Sequence, residues 1–276
     1  MIVLVTGCRS GFGQNIALRA ARAGHTVYAG LRDLNTAGPL VEAAKGLPVH
    51  PIALDVVDAA QREAAVARII AEQGRIDALI NNAGVAIGGP LEDLEEDEVR
   101  HVFEVNVFGL WALTNVVLPH MRAQKSGIIQ NISSVSGRMA LPGLGAYAAS
   151  KHALEGMTEA LRVELAPFGV RVVIIEPGPY KTDILGRNRA LGRKAQRPDS
   201  PYADLSARSD ALFAKVSASA EDPEDVAERC VDLLTDPSPA LRHPMGKSAR
   251  MRLLARWALP DGVIEAVTKA ALKRAK

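Results

Sequence analysis

The sequence predicts an α/β fold: a doubly wound parallel sheet with helices on both faces. Two observations carry this reading. Short β-branched runs alternate with long runs rich in alanine and leucine, and the first β-branched run passes directly into a glycine-rich turn, Thr6-Gly7-Cys8-Arg9-Ser10-Gly11-Phe12-Gly13. Strands that are apolar throughout have no polar face to offer water, so both faces need cover, and a helix between parallel strands supplies it. With 276 residues, 48% apolar and 23% charged, the chain can bury a full core and has the balance of an ordinary soluble globular protein.

The elements follow in order. Residues 2–5, 26–29, 49–54, 78–80, 127–132 and 170–175 read as strands because β-branched and aliphatic residues dominate them and turn residues bound them. Residues 14–23 read as the helix leaving the glycine turn, and 98–122 and 146–165 as long core helices. After Pro177 the pattern changes. Residues 179–222, rich in arginine, serine and alanine, interrupt the order of the sheet and read as a substrate lid, closing as a flap rather than standing as a fixed helix. A helix from about Asp222-Pro223, a last strand at 240–243 and helices at 249–259 and 263–273 complete the chain. The expected organisation is one domain, 1–276, with 179–222 as an insertion and 247–276 as a helical extension.

Charge and cysteine content exclude several classes. A net charge of +2 names no partner, and the basic run Arg187, Arg189, Arg193, Lys194, Arg197 lacks the interleaved aromatics of a nucleic-acid platform. Cys8 and Cys230 build no disulfide framework, and His101, His120 and His152 stand at no metal-ligand spacing, so no metal is expected. Residues 1–5 are too short for a leader and lead into Thr6-Gly7; no stretch reaches the length of a membrane span. The expected setting is cytoplasmic.

Two constellations carry chemistry. In the glycine turn, at the junction of first strand and first helix, glycines let the backbone approach a pyrophosphate while helix N-terminal amides meet its charge, which predicts a bound dinucleotide. At the tip of the second strand, where an acid would bind the adenosine ribose, stands Arg32; with Arg9 it can neutralise a 2′-phosphate, so NADP(H) is expected, while neighbouring Asp33 leaves NAD(H) open. The second constellation is Tyr147 and Lys151, four apart on one helix face, with Ser134 thirteen residues upstream. An ammonium beside a phenol biases it toward phenolate and proton transfer near neutral pH.

Taken together these motifs resemble the short-chain dehydrogenase/reductase family, motif by motif from Ile2 to about Thr182. The resemblance implies a Rossmann-type fold and a small-molecule carbonyl/alcohol substrate exchanged by hydride transfer. Within it, Gly7, Arg9, Ser10, Gly11, Phe12 and Gly13 match the pyrophosphate loop, Asp55 and Val56 the adenine contact, and Asn82, Ala83 and Gly84 the adenosine-side segment. Pro177, Gly178 and Thr182 match the segment that contacts the nicotinamide carboxamide. Asn106 falls where the family keeps a helix-kinking asparagine that holds a water. The implied mechanism makes Tyr147 the acid-base catalyst, Lys151 its electrostatic partner and ribose ligand, and Ser134 the donor to the developing alkoxide. The overall style is similar to the 17β-hydroxysteroid and retinol dehydrogenase subgroup. Phe12 and Tyr180 depart from the family's usual residues at positions near the cofactor or pocket mouth. The family's four-helix interface, and apolar residues on more than one face of 98–122, predict a homodimer; the C-terminal helices either block the further contact of a homotetramer or cover the pocket. The alternative from another class is a non-catalytic NADP-binding sensor or scaffold, which would need only the glycine loop and not Asn106, Ser134, Tyr147 and Lys151.

Overall fold

The computed structural model describes residues 1–182 and 190–275. Three of the four residues of β1 (Ile2–Val5) are fully buried, and they point to opposite sides, Val3 and Val5 into one hydrophobic core and Leu4 into another. The same split recurs at Ala78 and Ile80 against Leu79, and at Ile128 against Ile129. A side-chain period of two with both sides buried is the reason these strands read as unbroken apolar runs.

The chain forms β1, α1 (Gly11–Arg22), β2 (Thr26–Leu31), α2 (Gly38–Ala43), β3 (Val49–Ala53), α3 (Ala59–Gln73), β4 (Ala78–Asn81) and the short β5 (Ile87–Gly88). There follow α4 (Glu96–Phe103), a π-helical turn (Glu104–Gly109), α5 (Leu110–Gln124), β6 (Gly127–Ile132), α6 (Gly145–Leu165) and β7 (Val170–Pro177). Then come the short β8 (Ala190–Leu191), α7 (Ala203–Ala218), α8 (Glu224–Thr235), β9 (Arg242–Met245), α9 (Lys247–Ala258) and α10 (Asp261–Arg274). Seven strands form one parallel sheet in the order β3-β2-β1-β4-β6-β7-β9, while β5 and β8 make a separate parallel pair. The core on one face takes side chains from α1 and α8; the other takes them from α3 and α5. The strand order reverses between β1 and β4, and a crevice at the carboxyl ends of the strands opens at that reversal.

Three expectations are corrected. The helix expected over 98–122 runs from Glu96 to Gln124 with a π turn inside it, at whose end Gly109 packs close to Val56: a Cβ there would stand 2.7 Å from the Val56 carbonyl oxygen. The last strand lies at Arg242–Met245 rather than 240–243, in register with β7 from Ile174 to Pro177. Within 179–222, the part expected as an irregular flap contains the sixteen-residue α7. Its inward residues, Leu205, Ser209, Leu212, Phe213 and Val216, recur at helical spacing. Arg187, Arg189 and Leu185 of the expected lid lie outside the described residues. The run Glu96–Gln124 has the length and mean hydropathy to cross a membrane, but half of that apolar window is buried inside the protein.

Candidate active site

The glycine turn is held by side chains from the far side of the strand-order reversal. Thr6 Oγ1 accepts from the backbone N–H of both Asn82 and Ala83, at 2.9 Å each, and Asn82 Nδ2 donates to the carbonyls of Thr6 (2.8 Å) and Gly7 (3.2 Å). Asn82 is therefore a clamp on the loop. Gly7 has φ +70°, and a Cβ on Gly13 would lie 2.4 Å from the Gly7 carbonyl oxygen, so both positions need glycine. Cys8 is buried, and burial pushes its thiol, like that of Cys230, far above the usual range; neither is a nucleophile at neutral pH.

The exposed side of this turn suits an anion. Ser10 occupies the N-cap of α1 with its side chain making no cap bond, and the first turn of α1 holds no acidic residue. The hydroxyl and the helix's first amides are left for a pyrophosphate, which fits the group the motif implies. Arg9 and Arg32 are exposed, and Asp33 turns its carboxylate onto the backbone N–H of Asn35 at 2.9 Å. At the adenine end, one Asp55 carboxylate oxygen accepts from the Val57 N–H at 3.1 Å, and Val56 is buried with its carbonyl accepting from Arg62. After β7, the Gly178 N–H is held by the Met245 carbonyl at 3.0 Å, and the chain returns until a Cβ on Gly11 would stand 3.5 Å from Thr182. Phe12 and Tyr180 make an edge-to-face pair at 5.5 Å, so they pack on each other beside the glycine turn.

The proton-transfer residues come from two elements. Tyr147 and Lys151 project from the first turns of α6, both buried, and the Lys151 ammonium lies 5.8 Å from the Tyr147 ring centre. Lys151 Nζ donates to the Ile132 carbonyl at 2.8 Å. Ser134 lies just past β6, half-buried, with its Oγ accepting from the Ser136 N–H at 3.0 Å. Its neighbour Ser133 points the other way, toward Gly137 and Glu155, because successive side chains of an extended segment alternate. Of the two serines, Ser134 is the one that faces Tyr147.

The electrostatics differ from expectation. Burial, opposed by the Ser134 hydroxyl, pushes the Tyr147 phenol up to about 12, and burial takes the Lys151 ammonium down to about 8 while Glu155 supports it. Desolvation is the larger cause for both groups. Asn106 links three elements. Its side chain bonds Val85 in both directions, accepting from the N–H at 2.8 Å and donating to the carbonyl at 2.9 Å, and donates to Ser150 Oγ at 3.0 Å. These bonds tie the π turn to the segment after β4 and to α6.

Sequence reasoning missed three parts of the site. Thr6 was legible only as the first residue of the glycine turn, and Ser150 only as a spacer within Tyr147–Lys151. The third is the mooring of the segment expected as a lid: Arg193 pairs with Glu95 and Asp97 and its N–H donates to Glu98 at 2.9 Å, while Ser200 and Tyr202 bond Asp93 and Glu92. The acidic run Glu92–Glu98 opposite the basic run was the available signal. Further along, α7 packs Ser209 and Phe213 over the loop before α6, where a Cβ on Gly143 would lie 3.3 Å from Ser209.

Comparison with known proteins agrees with this arrangement. The family model for short chain dehydrogenase matches residues 1–191. The chain is 40% identical to human 17-beta-hydroxysteroid dehydrogenase type 1 over 253 residues, covering 88% of this chain and 76% of that one. It is 36% identical to 3-ketodihydrosphingosine reductase of Bacteroides thetaiotaomicron over 267 residues, covering 96% and 95%. A short-chain dehydrogenase from Streptomyces avermitilis superposes with a TM-score of 0.82 at 35% identity, covering 97% of this chain and 94% of that one. A short chain dehydrogenase/reductase from Burkholderia phymatum, in complex with NAD, gives 0.80 at 27% identity over 96% and 94%. A metagenomic short-chain oxidoreductase in complex with NADP gives 0.69 at 27% over 88% and 95%.

Proposed function

The chain belongs to the short-chain dehydrogenase/reductase family, oxidoreductases of CH–OH groups with NAD(P), and on that premise we propose that it interconverts an apolar ketone and its alcohol with NADP(H), using Tyr147 as acid-base catalyst. The observation that carries the reading is the convergence of Ser134, Tyr147 and Lys151 at the carboxyl ends of β4 and β6, one strand from the anion-ready glycine turn. A nicotinamide cofactor bound in that crevice supplies or accepts the hydride.

The chain's own residues handle the proton. Tyr147 Oη gives its proton to the substrate oxygen as that oxygen gains charge, and Ser134 Oγ hydrogen-bonds the same oxygen, a contact that strengthens toward the alkoxide. Lys151, held by the Ile132 carbonyl, places a positive charge beside the phenol and presents donors to ribose hydroxyls. Arg32 reads the 2′-phosphate, since Asp33 is engaged with Asn35 and no acid ends β2. Support for an apolar substrate comes from the steroid and sphingoid names of the two relatives and from Phe213 of α7 packed over the loop before Tyr147.

Two substitutions test the reading. Tyr147→Phe should keep the fold and cofactor binding while turnover of a carbonyl panel falls at least about a hundredfold; near-normal turnover would remove Tyr147 from the mechanism. Arg32→Ala should weaken NADPH far more than NADH in a titration, and equal losses would assign Arg32 no part in cofactor choice.

A further inference from the structure

The two C-terminal helices are anchored from inside. Ala249 of α9 is buried and touches the Gly178 turn, while Leu272 and Ala275 close α10 onto α7. What they leave outside is apolar: Met251, Leu254, Trp257, Leu259, Val263 and Val267 are all exposed, Trp257 at 83% and Met251 at 69%. On α9 the exposed residues recur every third position, and on α10 Val263 and Val267 are one turn apart, so each helix carries an outer apolar stripe, joined at Leu259. A core does not need these side chains.

Charge decides what they meet. Between Lys247 and Lys276 stand eight basic and two acidic residues, in a chain whose net charge is only +2; the extension is strongly positive and the remainder slightly negative. Asp261 and Glu265 are already paired, with Arg256 and Lys269. Among the described residues, Lys247, Arg250, Arg252, Lys273 and Arg274 make no ion pair. A second copy seated on this face by a two-fold axis would bring two such positive surfaces together, which opposes pairing. An anionic bilayer meets both features at once: arginine and lysine side chains reach the headgroups while tryptophan, leucine and methionine enter the boundary with the acyl chains. We infer that the outer face of α9 and α10 docks the protein on an anionic lipid surface, lying on it without crossing it. This inference does not depend on the substrate or on Tyr147.

The test uses the full chain with vesicles of phosphatidylcholine containing about a third phosphatidylserine, and with phosphatidylcholine alone. The expected result is co-sedimentation with the anionic vesicles that falls as salt rises, and that weakens roughly fivefold for each of Arg250→Gln and Lys273→Gln. Trp257→Ser with Leu254→Ser, both exposed and so tolerated by the fold, should reduce binding at least about tenfold. In a Trp111→Phe background Trp257 is the only tryptophan, and its emission should shift to the blue on anionic vesicles. No binding to phosphatidylserine vesicles, or binding unchanged by the Trp257 and Leu254 substitutions, overturns the proposal. So does a blue shift that follows protein concentration in the absence of lipid, which would assign the face to a second copy.

Discussion

Lys151 and Glu155 stand one turn apart on α6, and the lysine's surroundings are more heavily charged than the proton-transfer motif alone conveys. Glu155 and Glu176 are both buried, with Arg242 3.1 Å from Glu155 and Arg138 3.3 Å from Glu176. Arg242 also pairs with Glu159 at the surface. Burial, with Glu176 as a like-charged neighbour and the two arginines and Ser133 opposing, pushes the Glu155 carboxyl up to about 7. A carboxyl raised from 4.5 in the folded state binds a proton more tightly there than in the unfolded chain, so its contribution to stability is present below about pH 4.5 and is lost as pH rises to about 7. Glu155→Gln should therefore gain thermal stability over the parent as pH rises from 5 to 8, by about 3 kcal/mol at most; a difference flat with pH would show that Glu155 stays ionised throughout. The same charge supports the Lys151 ammonium. The alkaline limb of kcat/KM, set by loss of that ammonium near 8, should move to lower pH in Glu155→Gln.

At the scale of elements, the sequence was most legible where one local rule acts alone. Strands such as β1 follow from apolar runs that no helix period explains, and the glycine turn from positions where a Cβ has no room. It was least legible where a long-range partner decides the local shape. The π turn lies where Gly109 meets Val56 and Asn106 reaches Val85, contacts that no window around residue 106 contains. In the lid, irregular composition suggested a flap although Leu205, Ser209, Leu212, Phe213 and Val216 already keep a helical period; serine in an inward position hid it. Two predictions belong here. Gly13→Ala puts a methyl group 2.4 Å from the Gly7 carbonyl oxygen, so the turn must open and cofactor affinity should fall by at least tenfold, read by titration, with about 1–3 kcal/mol lost from the fold. Arg193→Ala frees the segment expected as a lid from Glu95 and Asp97, while the backbone N–H of residue 193 still reaches Glu98. Because those contacts are largely solvent-exposed, the melting temperature should hardly change, while hydrogen exchange across 190–202 quickens and KM rises several-fold at constant kcat. Unchanged exchange there would show that Ser200 and Tyr202 suffice to moor it.

At the scale of the whole molecule, two groups of exposed apolar residues among the described residues include aromatic rings, and their surroundings differ. Around α9 and α10 it is ringed by unpaired basic charge. On the α5–α6 side, Phe108 and Trp111 are each 52% exposed, Val163 is 74% exposed and Phe168 is 44% exposed, and their neighbours carry both signs. A concavity of about 660 Å³ lies at Phe108, lined also by Phe103, Glu96, Asp97 and Arg100. Arg122 sits over the Phe168 ring at 5.8 Å. Mixed charge around an apolar centre is self-complementary under a two-fold axis, since an acid on one copy can meet a base on the other, and aromatic and aliphatic side chains at the centre give the burial that such interfaces use. Val102, Leu110 and Leu113 are buried within the chain and are not available, so the assembly must rest on Phe108, Trp111, Val163 and Phe168. We therefore expect a dimer through this face, with roughly 800 Å² covered on each copy. Light scattering at micromolar concentration should give twice the mass of 29.3 kDa, and Trp111→Glu with Val163→Glu should return it to the monomer without changing vesicle binding by the C-terminal face. A parent chain that scatters as a monomer would rule out the dimer. A dimer that survives both substitutions would place the contact elsewhere, with the exposed edge of β9 the next surface to test.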